Sequence, residues 1–167
     1  MKCATALLAL LAPVAVNAQD FAIPGVTADS GILLNCLVSG MGADVCLGAM
    51  TLDCLAENDL GNENLEERLC VNEELVVWRV LVKQAGERLQ TLLGEIPPGD
   101  HAPLLGDPVS LSVDADERWQ FWTNAQCRLE RASSGRGDRR AITQDTCLRD
   151  LTSLRYTGLQ RLIAQLE

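Results

Sequence analysis

Residues 36–46 read CLVSGMGADVC, with Cys36 five residues before Met41, Cys46 five residues after it, and Gly40 and Gly42 on either side of the centre. The arrangement occurs twice more: Cys54 and Cys70 centre on Asn62 within DLGN, and Cys127 and Cys147 centre on Gly137 within SSGRGD. Each pair brackets a strong turn signal. Two antiparallel helices joined by a short turn bring residues equidistant from that turn side by side. The pairs therefore read as staples across αα-hairpins: Cys36–Cys46, Cys54–Cys70 and Cys127–Cys147. A disulfide needs Cα atoms within about 6.8 Å, closer than the roughly 8–10 Å between packed helix axes. Gly40, Gly42 and Ala43 supply small neighbours at the first staple.

The remaining cysteine, Cys3, lies in MKCATALLALLAPVAVNA, residues 1–18. Lys2, the short apolar run Ala4 to Val16, and small residues at Val16 and Ala18 form the pattern of a secretory signal peptide. The run is shorter than the ~20 residues a membrane span needs. Removal of Cys3 leaves six cysteines, and an even number in an exported chain points to disulfides. Zinc is disfavoured, because no CxxC occurs and His101 is the sole histidine.

At 167 residues the chain predicts one domain, and 47% hydrophobic content is enough for a core. Aromatic residues are 4%, so that core must be mostly aliphatic. Fourteen basic and 23 acidic residues give a formal charge of −9. Such a balance opposes nucleic acid and anionic membrane surfaces and favours a basic macromolecular partner, although acidity also simply keeps a secreted protein in solution.

Along the chain, residues 19–28 read as an extended arm and 29–167 as a single helical domain. Asp29 or Ser30 caps a first helix running to about Ser39, and a second runs from about Ala43 to Leu55. A long helix, about Asn64 to Leu93, carries Val71, Leu75, Trp78, Val82, Ala85, Leu89 and Leu92 at alternating intervals of four and three. Gly94 to Asp116 holds four prolines and three glycines and reads as a long loop. A fourth helix starts near Asp114 or Asp116 and carries Trp119, Trp122 and Leu129. A fifth spans about Thr143 to Leu166, with Leu148, Leu151, Leu159, Leu162 and Leu166 on one side. The expected fold class is all-α: disulfide-stapled helical hairpins forming a small bundle.

Two stretches, ERWQFWTNAQC ending in Cys127 and CLRDLTSLR beginning at Cys147, follow the order Trp, aromatic, Cys, Gly-rich gap, then CLxxLTxxR. With CVNEELVVW upstream, this pattern resembles the LprI-type lysozyme-inhibitor family of exported bacterial proteins. The matching residues are Cys70, Glu74, Trp78, Trp119, Trp122, Cys127, Cys147, Leu148, Leu151, Thr152 and Arg155, and the resemblance covers roughly Cys36 to Leu166. The chain departs from that pattern at Thr123-Asn124, where the family commonly has Arg-Asp, and at Val82-Lys83 and Gly86, where it often has Leu-Asn and Tyr. The resemblance implies a periplasmic or secreted protein-binding module that inhibits lysozyme-type muramidases. The alternative is an envelope structural or interaction protein with no enzyme target.

Trp119 and Trp122, three apart on one helical face, read as core, with a partner-binding aromatic patch as the alternative. Thr152 and Arg155 lie one turn apart, and Arg155 is placed to hydrogen-bond the preceding helix or loop carbonyls. Glu66-Glu67 and Glu73-Glu74 are adjacent pairs that do not face each other on a helix, and they read as a solvated acidic face. Arg136-Gly137-Asp138 reads as a turn with positive φ at Gly137. In the long loop, Asp100 and His101, braced by prolines, are the candidate binding residues, placed to enter a muramidase cleft whose carboxylates do the chemistry. No nucleophile arrangement, phosphate loop or dinucleotide fingerprint is present, so no catalytic residue, cofactor or metal is expected.

Overall fold

The computed structural model describes residues 25–97, 106–137 and 139–167. The signal-peptide reading of residues 1–18, most of the 19–28 arm, and Asp100 and His101 lie outside them. Among the described residues there are six helices and no strand: α1 (Ser30–Val38), α2 (Ala43–Cys46), α3 (Ala49–Glu57), α4 (Glu63–Gly94), α5 (Pro108–Ser133) and α6 (Arg139–Leu166). None of these helices is long and apolar enough to cross a membrane.

The disulfides join Cys36 to Cys46, Cys54 to Cys70 and Cys127 to Cys147, with Cα separations of 5.7, 5.6 and 5.5 Å. They link α1 to α2, α3 to α4 and α5 to α6, the pairs equidistant from the turns. Gly40 and Gly137 occupy those turns at φ +84° and +107°, values only glycine adopts readily.

Three boundaries differ from the sequence expectation. The stretch Ala43 to Leu55 is not one helix, because Gly48 at φ +86° ends α2 and begins α3. Residues 108–113 are helix and not loop. The Asp107 carboxylate accepts from the Ser110 N–H at 2.8 Å, and Pro108 sits in the first turn, where a missing N–H costs nothing. The last helix begins at Arg139 instead of Thr143.

The long helices run up, down, up. Arg139 of α6 meets Glu67 of α4, Asp145 meets Arg68, Tyr156 meets Trp78, and Glu167 meets Arg88, so α4 and α6 are parallel, with α5 antiparallel to both. The α4 seam is the spine of the core: Val71, Leu75, Trp78, Val82, Ala85 and Leu89 are all buried. At Trp78, a cluster with Leu33, Ala43, Cys46, Met50 and Val77 docks the short helices. Farther along, Val82, Ala85 and Leu89 pack against Leu159 and Ile163 of α6. The α6 core stripe therefore runs through Ile142, Leu159 and Ile163, while Leu162 and Leu166 are 40% and 39% exposed, against the expectation that they share it.

Tyr156 packs against both clusters. Burial pushes its phenol above the ordinary value of 10.0, partly offset by a hydrogen bond with Gln160. The folded chain thus holds this proton more tightly than the unfolded one. That contribution is fully present below pH 10 and is lost as pH rises through the folded value. Because this is the sole tyrosine, tyrosinate absorbance reads it directly. The expected midpoint lies above 10.0 in the native protein and returns to about 10 in denaturant; equal midpoints would mean a solvated phenol.

Candidate functional site

Two polar constellations stand out among the described residues. The first is internal. Cys70, Glu74 and Trp78 follow at intervals of four on α4 and are all 0% exposed. The Glu74 carboxylate lies at the start of α3. Its Oε1 accepts from the Gly48 N–H at 2.8 Å and the Trp78 indole at 3.0 Å, and its Oε2 accepts from the Thr51 N–H at 2.9 Å and the Thr51 hydroxyl at 2.6 Å. Neither Gly48 nor its neighbours cap α3 with a side chain, so Glu74 supplies the cap from another helix. The Arg149 guanidinium of α6 reaches the Thr51 hydroxyl at 3.2 Å, which ties α3, α4 and α6 together. The solvated reading of Glu73-Glu74 is thus wrong: Glu73 is 7% exposed and Glu74 is fully enclosed. Glu66 and Glu67 are also engaged, Glu66 with the Leu60 and Asn62 N–H groups that precede α4 and Glu67 with Arg139. Nearby, the Asn58 amide grips both the N–H and the carbonyl of Thr27, which fixes the end of the N-terminal arm.

The second constellation is a cleft of about 600 Å³ between α4, α5 and α6. Its origin is the unequal packing of the three helices. The Cys127–Cys147 bridge holds α5 to α6, and α6 lies closely along α4, but α5 touches α4 sparingly. Gly86 of α4 adds no side chain to the gap, and a Cβ placed there would meet nothing within 4 Å. Trp119, Leu148, Thr152 and Arg155 line the cleft, and so do Val82, Lys83, Gly86, Thr123 and Asn124.

The Arg155 side chain is 19% exposed. Its carbon Cζ lies 5.7 Å from the Trp119 ring centroid, a cation–π arrangement, and its Nη2 donates to Asp116 Oδ1 at 3.5 Å. The bond to the preceding helix anticipated for Arg155 is made here, through Asp116 of α5. Asp116 also accepts from Gln120 at 2.8 Å. Thr152 is turned to its own helix, donating to the Leu148 carbonyl at 2.6 Å. Among the described residues, two buried side-chain atoms have no hydrogen-bond partner, Thr123 Oγ1 and Arg155 Nε, and both residues line the cleft.

No family model, curated protein or solved structure matches this chain. The core reading of the tryptophans needs correction. Trp119 is half-buried as a cleft wall, and Trp122 is 51% exposed. Leu129 is exposed as well, because the face of α5 turned inward is the one carrying Thr123 and Cys127. A second hollow of about 420 Å³, beside the α5–α6 turn, is lined by Arg68, Arg131 and Arg140. Its cations are occupied, by Asp145, Gln144 and the Arg131 carbonyl respectively. Among the described residues, no group of three or more His, Cys, Asp or Glu could hold a metal ion.

Proposed function

We propose that the chain is an exported, acidic protein-binding module that seats part of its partner in the α4–α5–α6 cleft, with a lysozyme-type muramidase as the candidate target. The observation that carries the reading is the unpartnered polar lining, Thr123 Oγ1 and Arg155 Nε, set in a wall of residues shared with the LprI-type pattern. Binding sites combine apolar walls with a few convergent polar groups, and here Trp119, Val82 and Leu159 accompany the two polar atoms. The three disulfides suit an oxidising compartment outside the cytoplasm. A formal charge of −9 would speed encounter with a basic muramidase.

The test is a cell-wall lysis assay titrated with the oxidised protein. Stoichiometric inhibition is expected, with association slowed as salt rises from low to physiological concentration. A folded, disulfide-intact sample that inhibits none of several lysozyme types would remove the muramidase as target and leave an envelope interaction partner without enzyme activity.

A further inference from the structure

Thr123 is 3% exposed and lines the cleft, yet its hydroxyl has no hydrogen-bond partner, and the same holds for Arg155 Nε. Leaving such a buried group unpaired is costly, so native chains keep few of them, and those they keep call for an explanation. Thr123 follows Trp119 by one turn of α5, and Trp119 carries the Arg155 guanidinium on its face. The two unpaired groups thus belong to neighbouring levels of one cleft.

Their chemistry is that of an oxyanion site. A guanidinium offers five donors in a planar fork, and here the hydrogen bond it makes is a 3.5 Å contact with Asp116. Such a fork matches a carboxylate with two parallel bonds, and a hydroxyl adds a further donor. Lining charges are Arg79, Lys83 and Arg155 against Glu87 and Asp116, 3 − 2 = +1, within a chain of −9. One net positive charge suits a monoanion, and Asp116 beside the fork repels a dianion such as a phosphate ester. Apolar surface from Trp119, Val82 and Leu159 lies in the same cleft, with the side-chain amides of Gln90 and Asn124. That combination fits an anion carried on an amide backbone with an aliphatic side chain.

We infer that the cleft binds the carboxylate end of a peptide, with the carboxylate on Arg155 and Thr123 and the terminal apolar side chain against Trp119 and Val82. The inference rests on the cleft being the binding seat but not on lysozyme as the target, so an absence of lysozyme inhibition alone leaves it standing.

The test uses the oxidised protein and NMR of the Trp119 indole N–H, assigned through Trp119→Phe. Titrants are N-acetyl-leucine, its uncharged analogue N-acetyl-leucinamide, and acetate. N-acetyl-leucine is expected to shift the Trp119 signal saturably. The amide and acetate should each bind about tenfold more weakly or worse. Thr123→Val keeps the side-chain shape and removes the unpaired hydroxyl. It should weaken N-acetyl-leucine binding several-fold while leaving the thermal midpoint the same or higher, a pairing that a purely structural threonine would not give. Gly86→Phe, which fills the cleft from the α4 side, should abolish the shift with helical content intact. Equal affinity for acid and amide, acetate binding as tightly as N-acetyl-leucine, unchanged binding in both variants, or no saturable shift with the wild type would each overturn the inference.

Discussion

Full reduction of the three disulfides is expected to unfold this protein. The bridges close loops of 10, 16 and 20 residues in sequence separation. Each contributes about 3 kcal/mol by restricting the unfolded chain, or roughly 9 kcal/mol together, a sum within the whole stability of an ordinary domain, about 5–15 kcal/mol. The loss also falls on the shortest helices. Helices α1 to α3 are four to nine residues long, too short to persist alone, and two of the bridges tether them to each other and to α4. Far-ultraviolet circular dichroism of the reduced, alkylated chain should show most of the helical signal gone at physiological temperature. A reduced sample with native ellipticity, melting within a few degrees of the oxidised one, would mean that packing along α4 and α6 suffices without the staples.

The second large effect is expected from Glu74→Gln, a change of one atom. All four hydrogen bonds to Glu74 come from donors, two to each carboxylate oxygen. A carboxamide has one acceptor oxygen. If its NH₂ turns toward Gly48 and Trp78, two N–H groups are stranded. If it turns toward Thr51, the hydroxyl can rotate to accept, but the Thr51 backbone N–H is left facing a donor. In either orientation the site loses charge-assisted bonds and strands at least one buried N–H, a cost of about 3 kcal/mol. Chemical denaturation should report it as a lower midpoint with an unchanged slope. A difference below about 0.5 kcal/mol would show that water, and not this carboxylate, satisfies the start of α3.

Much of this architecture is written locally. The cysteine pairs announce their partners because each straddles its own turn, and the four-three rhythm from Val71 to Leu89 is the buried side of α4 in the structure. The errors come from weighing one local signal above another. Four prolines between Gly94 and Asp116 suggest continuous loop, yet Asp107-Pro108 is a helix start, a capping carboxylate followed by a ring that fits the first turn. Gly48 looks like one small residue within a helix, but its left-handed backbone turns the chain between α2 and α3.

Other features depend on distant partners. Glu74 reads as a surface charge until the N–H groups of Gly48 and Thr51, more than twenty residues earlier, are brought to it. The cleft leaves little local trace, since it follows from how α5 is hung from α6. Gly86 is its one sequence signal: a glycine next to the seam residue Ala85 is costly in a helix, and the structure shows open space where its side chain would be.

That open space makes the most direct test. Wild type and Gly86→Phe should be compared in the same lysozyme lysis assay, with circular dichroism confirming equal helical content. Inhibition by the wild type that is lost in Gly86→Phe is the result expected if the cleft between α4, α5 and α6 seats the partner. Undiminished inhibition by Gly86→Phe would contradict it and place the contact elsewhere on the molecule.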